Sequence, residues 1–372
     1  MAWIPDEHTE TYVARAPFVR AIGWLSRDHP FATGAVPSAF LDKLRALVAG
    51  AGQVELAYRF VHFMGFHTCD LCPPTPRESR RLGPAGVHNL AVPFANLLCV
   101  FPELIVHYVD VHAYRPPAPF IDAVRDCPLP DHPEFTAQAA AFAHRLREFR
   151  ERGRAAEEVR SRNWFEKARC PVCQSWQYLP SADADARHCG TALVDRERNP
   201  GWQAPHPTRL VITGVAGAGK TTIADRVADR LTLWDFDGDD FHSLANVAKM
   251  RGGHALDDAD RAPWLDAMHD LLTACATHGR SFVLACSALK AAYRQRLAAG
   301  IGDLRFVYLR AERDLLAARL AARPAHFFPP SLLDSQLEAL EEPGDALIVD
   351  AALSIEAIVD QIAADTERPR WL

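Results

Sequence analysis

The chain has 372 residues, of which 49% are hydrophobic and 24% charged, and its net charge is -6. That length exceeds one average domain and predicts two folded units with a small third between them, while negative charge spread without long single-sign blocks excludes an electrostatic case for nucleic acid. No run approaches the roughly 18 to 20 apolar residues of a bilayer span, and the start Met-Ala-Trp-Ile-Pro-Asp-Glu lacks a basic stretch followed by an apolar core, so a cytoplasmic protein without a membrane partner is expected.

Nine cysteines, an odd number with two C-x-x-C pairs, read as reduced thiols or metal ligands rather than a disulfide framework. Residues 1–130 form the first predicted domain, of α+β type, and carry no reaction motif. Cys69-Asp70-Leu71-Cys72, followed later by His107 and His112, is compatible with a tetrahedral zinc site. The 34 residues between the pairs exceed the interval in a finger, and His107 reads equally as a core histidine. The segments Gly65 to Cys72 and Leu104 to His112 resemble an uncharacterised bacterial domain, a resemblance that implies no activity.

Residues 131–206 read as a helical connector followed by a Cys-rich, zinc-ribbon-like segment. Ala, Arg and Glu dominate from Thr136 to Arg162, with Phe142, Leu146 and Phe149 at helical spacing. Cys170, Cys173, His188 and Cys189 form a second candidate zinc set. Adjacent side chains usually point apart, so joint use of His188 and Cys189 requires a tight turn, and a second complete knuckle is missing. A metal here would hold together a segment too small for its own core. Asn199, Pro200, Gly201, Pro205 and Pro207 then forbid regular structure.

From 207 to 372 short apolar runs alternate with helical patterns. Strands are expected at Leu210 to Thr213, Leu233 to Phe236, Phe282 to Cys286, Arg305 to Leu309 and Leu347 to Val349. Helices are expected near Thr221 to Leu231, Asp260 to Ala276, Lys290 to Ala299, Asp314 to Ala322, Leu332 to Leu340 and Ile355 to Ala364. This alternation predicts an α/β domain, a five-stranded parallel sheet flanked by helices. The first strand runs into Gly214-Val215-Ala216-Gly217-Ala218-Gly219-Lys220-Thr221-Thr222, which fits G-x-x-x-x-G-K-[ST] in its strand-loop-helix context. Glycines let backbone amides curl round the phosphates of ATP, Lys220 reaches the β- and γ-oxygens, and Thr221 holds Mg²⁺. The chain has five lysines against 36 arginines, and three of the five, Lys220, Lys249 and Lys290, fall within motifs.

After the second strand come Asp237, Asp239 and Asp240, at the edge where open α/β sheets bind ligands. Asp237 is placed to position hydrated Mg²⁺ and Asp239 to accept a proton from an attacking hydroxyl, whereas Asp240 reads as a surface acidic turn. The runs D-G-D-D-F-H-S-L-A-N-V-A-K-M, L-D-D-A-D-R-A-P-W-L, A-C-S-A-L-K-A-A-Y-R and A-R-P-A-H-F-F-P-P-S-L-L-D-S-Q-L-E-A-L-E-E-P, with the phosphate loop, resemble the gluconokinase family over about residues 208–365. The resemblance implies a P-loop kinase that phosphorylates D-gluconate with Mg²⁺-ATP. Asp239 is then base or hydroxyl orienter, with His242, Asn246, Lys249 and Arg261 around the sugar acid and Ser287, Lys290 and His326 lining the site. Arg261 has a rival reading, in which Asp260 caps a helix, Trp264 packs in the core and Arg261 is exposed. Cys286 reads as a small buried hydrophobe.

Arg319 and Arg323, spaced i, i+4, resemble lid arginines that meet charge on the transferred phosphoryl group, with a solvated arginine face as the alternative. Pro324-Ala325 stands where the family usually has Lys-Gly, and Ser243 where Pro is usual, which puts the lid's geometry in question. Two other readings stay open: a kinase of another small hydroxylated acceptor, against which H-x₃-N-x₂-K-M and R-x-P-W argue, and a nucleotide-controlled switch fused to a metal-binding sensory module. A homodimer is left open as an assembly state.

Overall fold

A computed structural model describes residues 3–9, 16–50, 67–72, 85–86, 89–162, 166–179, 186–198, 207–322 and 333–366. The chain divides into two compact units, one of Met1–Glu148 with Asp239–Leu256 and the other of Phe149–Gly238 with Asp257–Leu372.

The first unit contains β1 (Val19–Ala21), α1 (Ser38–Gly50), β2 (His67–Thr68), β3 (Ala85–Gly86), β4 (Asn89–Phe94), β5 (Leu97–Pro102), α2 (Ile105–His112) and α3 (Ala118–Asp126). Leu97 to Phe101 is an unbroken apolar run, the pattern of a strand covered on both faces, and all of β5 is buried. It lies centrally in the order β1-β5-β4, parallel to β1 and antiparallel to β4. Ala95 and Asn96 close the β4–β5 hairpin, with Ala95 at φ +55°, the left-handed value that matches strand twist in a two-residue turn. Phe120 of α3 meets Phe40 of α1 and Phe101 of β5 edge-on, at ring separations of 6.3 and 5.3 Å.

The connector helix α4 (Pro133–Arg162) begins three residues before its expected start. The cysteine-bearing segment follows, with β6 (Glu166–Arg169), β7 (Trp176–Leu179), β8 (Arg187–His188), β9 (Thr191–Ala192) and β10 (Val194–Arg198). Its antiparallel sheet has the order β10-β6-β7, and β8 pairs with β9. Ala168, Cys170, Ala186 and Leu193 make up its buried cluster, with Leu179 against it.

The C-terminal elements are β11 (Arg209–Thr213), α5 (Lys220–Leu231), β12 (Trp234–Asp237), a 3-10 turn (Gly238–Phe241), α6 (Leu244–Arg251), α7 (Asp258–Thr277), β13 (Phe282–Ala285), α8 (Ala291–Ala298), β14 (Leu304–Arg310), α9 (Arg313–Ala321), α10 (Leu333–Glu338), β15 (Leu347–Asp350) and α11 (Ile355–Thr366). All five expected strands are present and pair in parallel in the order β12-β13-β11-β14-β15. Connections from β11 run first to one side of the sheet and later to the other, so the order reverses beside the C-terminal end of β11, where open α/β sheets bind ligands. Leu210, Ile212, Val283, Val307 and Leu309 from the strands pack with Ile223 and Val227 of α5 and Ile358 and Ile362 of α11. Helix α6, absent from the expected elements, buries Leu244, Val247 and Met250 and belongs to the first unit.

Within the second unit α4 lies against β12. A Cβ at Gly153 would stand 2.3 Å from the Trp234 ring, so only glycine lets the helix come this close. Arg152 donates to Asp235 on β12 at 2.7 Å and pairs with Asp225 and Asp229 on α5. These carboxylates hold its guanidinium above the ordinary arginine value against the cost of burial, while burial raises the Asp235 carboxyl despite the arginine beside it. Among the described residues no helix is long and apolar enough to cross a membrane.

Candidate functional site

The loop from Gly214 to Gly219 has the backbone of an anion cradle. Gly214, Gly217 and Gly219 sit at φ +146°, +86° and +96°, values that L side chains rarely adopt. A Cβ at Gly217 would also fall 3.0 Å from the Leu316 carbonyl oxygen. Gly219 is the N-cap of α5, so the loop's amides and the helix's positive end face the same place. Val215, Ala216 and Ala218 complete the loop; Ala218 and Val215 are buried beneath it. Lys220 reaches back to the Val215 carbonyl at 3.1 Å, and the Ala216 amide donates to Gln336 Oε1 of α10 at 2.7 Å. Gln336 was not among the expected residues.

Thr221 and Thr222 open α5 on its exposed face. The Thr221 hydroxyl donates to Asp237 Oδ2 at 2.8 Å, bringing together the two residues expected at magnesium. A hydroxyl and a carboxylate beside a phosphate cradle are hard oxygen donors of the kind Mg²⁺ takes. Arg319, expected in a lid, donates to the carbonyls of Ala218 at 3.3 Å and Ala351 at 2.9 Å, bracing the phosphate loop from α9.

A second group of charges forms on α7 and α8. Asp257 caps α7 in a reciprocal box with Asp260, so the capping residue lies three positions before the one expected. Trp264 is buried and donates from Nε1 to the Gly238 carbonyl at 2.6 Å. Lys290 pairs with Asp258 at 2.8 Å, Arg261 approaches Asp258 at 3.9 Å and the Tyr293 ring centroid at 5.9 Å, and Tyr293 Oη also binds Asp258. Arg261 is therefore half-buried within a charge cluster. Hydrogen bonds from Lys290 and Tyr293 hold the Asp258 carboxyl below the usual range, and Asp258 raises the Lys290 ammonium. Buried Arg294 donates to the carbonyls of Ala288 and Leu289, fixing the loop that presents Ser287 and Lys290. Asp258, Tyr293 and Arg294 escape a motif search because their partners are distant in sequence or are main-chain atoms. Cys286 is buried, in keeping with its reading as a small hydrophobe.

In the first unit the 3-10 turn carries Asp239, α6 carries Asn246 and Lys249, and His242 lies between the two. His242 and Asn246 are buried, and Asn246 and Lys249 are three residues apart on α6, the spacing of neighbours on one helical face. Ser243 accepts the Asn246 amide at 3.1 Å and caps the helix, which explains how a residue other than Pro serves there. The expectation for Asp240 fails. It is 5% exposed, and Arg145 and Asn96 supply the polar partners that let a carboxylate be buried.

Both cysteine–histidine sets come together. Sγ of Cys69 lies 3.3 Å from His112 Nε2, Sγ of Cys72 lies 3.3 Å from His107 Nε2 and 3.4 Å from His112 Nε2, and the two Nε2 atoms are 3.2 Å apart. Burial, then His112, lowers the His107 imidazole, and burial raises the Cys69 thiol. In the second set, His188 Nδ1 lies 3.4 Å from Cys173 Sγ and 3.3 Å from Cys189 Sγ. Cys189 at φ +51° and Gly190 at φ +75° form the tight turn that lets His188 and Cys189 face one point. The ligand atoms of Cys170, Cys173, His188 and Cys189 lie within 4.8 Å of one another, as do those of the first set. A backbone hydrogen bond from Cys173 lowers the Cys170 thiol to about 7. Arg323, Pro324, Ala325 and His326 lie outside the described residues.

A family described as "Domain of unknown function (DUF7919)" matches residues 2–125, and one described as "AAA domain" matches residues 210–343. A gluconokinase of Gluconobacter oxydans (strain 621H) is 49% identical over 140 residues, covering 37% of this chain and 78% of that protein. A probable gluconokinase of Xenopus tropicalis is 38% identical over 181 residues, covering 44% of this chain and 95% of that protein. A crystal structure of a gluconokinase from Sinorhizobium meliloti 1021 is 34% identical, covers 43% of this chain and 95% of that one, and superposes with a TM-score of 0.38.

Proposed function

Since the chain belongs to the gluconokinase family, we propose that it transfers the γ-phosphoryl group of ATP to the terminal hydroxyl of D-gluconate, giving 6-phosphogluconate. The observation that carries this reading is the phosphate cradle with the Thr221–Asp237 pair beside it, in a chain that keeps the acceptor residues Asp239, His242, Asn246, Lys249, Arg261, Ser287 and Lys290. Loop amides and Lys220 bind the β- and γ-oxygens and offset charge that grows in transfer. Thr221 and Asp237 would hold Mg²⁺, which neutralises phosphate charge when bound. Asp239 takes the proton from the attacking hydroxyl, and the Lys and Arg groups receive the sugar acid's carboxylate. Arg319 and Arg323 serve the transferred group, and His326 the acceptor. The work is assigned to the cytoplasm, where thiols remain reduced.

Full-length protein assayed for ADP release against gluconate, shikimate and nucleosides tests the reading. Release dependent on gluconate supports it, and release dependent only on another acceptor replaces it. Retained ATP binding without acceptor-dependent release would favour a nucleotide-controlled switch instead.

Each cysteine–histidine set holds one structural Zn²⁺ in the same proposal. For tetrahedral zinc, bond lengths of about 2.0–2.3 Å imply ligand–ligand edges of roughly 3.3–3.8 Å, close to the separations in the first set. In the second set, the buried cluster among the described residues is four side chains, a small core for a segment to order itself around. Metal analysis should give two zinc per chain, falling to one in either Cys69→Ser or Cys170→Ser. Two zinc retained in both variants would remove the assignment.

A further inference from the structure

The first 148 residues share a compact unit with Asp239–Leu256, the stretch that carries four of the acceptor residues. Several contacts within that unit fall on the backbone of the stretch, and others on the Asp240 carboxylate. Arg20 is 2% exposed, and its guanidinium donates to four carbonyls: Pro17 at 2.6 Å and Val19 at 2.7 Å beside it, Asp240 at 2.7 Å and His242 at 2.8 Å in the acceptor stretch. Asn96, at the tip of the β4–β5 hairpin, donates from Nδ2 to the Asp239 carbonyl at 3.0 Å and to Asp240 Oδ1 at 3.2 Å. Arg145 of α4 lies 4.0 Å above the Phe18 ring, donates to the Asn96 carbonyl at 2.6 Å and pairs with Asp240. Glu7 Oε2 accepts the Leu244 amide at 2.8 Å, meeting one of the donors that the start of α6 leaves without a helical partner. Carbonyls of residues 239, 240 and 242 and the amide of 244 are thereby tied within six residues.

A buried guanidinium shared among carbonyls is a costly way to gain stability and an effective way to fix a backbone, because its planar fork sets direction as well as distance. The Xenopus tropicalis relative is matched over 95% of its length by 44% of this chain, so more than half of this chain lies outside the match. The N-terminal module grips a stretch that carries four of the proposed acceptor residues.

We propose that the N-terminal module is a built-in clamp on the acceptor turn, with Arg20, Asn96 and Arg145 as positioning residues that set the affinity for the sugar acid. This rests on the acceptor role proposed above for Asp239, His242, Asn246 and Lys249. Binding of ATP, seated on the phosphate loop of the other unit, is not under the clamp's control.

The test uses the full chain and the variants Asn96→Ala, Arg145→Ala, Arg145→Lys and Arg20→Lys, the last two keeping charge while losing the fork. KM for gluconate should rise about fivefold to twentyfold in Asn96→Ala and Arg145→Ala, KM for ATP should stay within about twofold, and Arg145→Lys should recover part of the loss. Amide hydrogen exchange across residues 239–251 should quicken in the same variants and in Arg20→Lys, with α5 unchanged. Equal movement of both KM values, or unchanged exchange across 239–251, would overturn the clamp. If the wild-type chain turns over no gluconate, the functional reading fails by itself, and the exchange measurement still decides whether the module holds the turn.

Discussion

Replacing Arg152 with Ala should destabilise the second unit in a pH-dependent way. The guanidinium is shared by Asp225, Asp229 and Asp235, with side-chain exposures of 23% for Arg152 and 25% for Asp235. Breaking a fully buried pair costs about 3–5 kcal/mol, but water reaches both partners here, so we expect about 2 kcal/mol at pH 7. For a unit of this size that is a fall of roughly 4–8 °C in Tm. The sign of the pH dependence follows from Asp235, whose carboxyl burial already raises in the folded protein. An acid with a raised folded value stabilises folding when protonated, and that stability is lost as pH rises from the ordinary carboxylate value through the folded one. Without Arg152 the folded value climbs further, so the deficit against wild type should be largest at neutral pH and shrink on acidification. Urea melts of both proteins at pH 7 and pH 5 measure it. A deficit below about 0.5 kcal/mol at pH 7, within the range of ordinary surface changes, or one that grows on acidification, would refute the reasoning.

Gly217→Ala puts about 1–3 kcal/mol of backbone strain at φ +86° into the folded loop, which should lower the Tm of the second unit by roughly 2–12 °C, and a loop that shifts to relieve the strain should bind ATP more weakly; a thermal melt reads the first and calorimetric titration the second. Thr221→Val removes the hydroxyl that meets Asp237 and should raise the Mg²⁺ concentration for half-maximal turnover about tenfold, with nucleotide affinity in EDTA unchanged. Chelation should expose residues 166–198 to limited proteolysis, since the segment's buried cluster among the described residues is four side chains; resistance equal to the untreated protein would count against structural zinc there.

The C-terminal sheet is legible because its strands are short, largely apolar runs that alternate with helical patterns. All five expected strands lie within two residues of those observed, and the phosphate loop declares itself through glycines required by positive φ and a close approach to Leu316. Helix α6 is hard to see in the sequence because its eight residues are crowded with ligand positions, although Ser243 before Leu244, with Val247 and Met250 following, is a capped amphipathic pattern. Asp240 was misplaced for a different reason: its partners Asn96 and Arg145 lie 144 and 95 residues away, and no local pattern announces a carboxylate neutralised at that distance. The same limit hid Asp258 and Tyr293 around Lys290 and Arg261. The cysteine spacings were readable, but the turn that turns Cys189 toward His188 depends on a left-handed residue that composition does not reveal.

The central claim is tested most directly by following ADP release with gluconate and identifying the product by phosphorus NMR, for wild type and Asp239→Asn side by side. The account predicts 6-phosphogluconate from the wild type and a loss of turnover of at least about a hundredfold in the variant, with ATP affinity retained. Undiminished phosphorylation by Asp239→Asn, or a wild-type protein that binds ATP and leaves gluconate untouched, would contradict it.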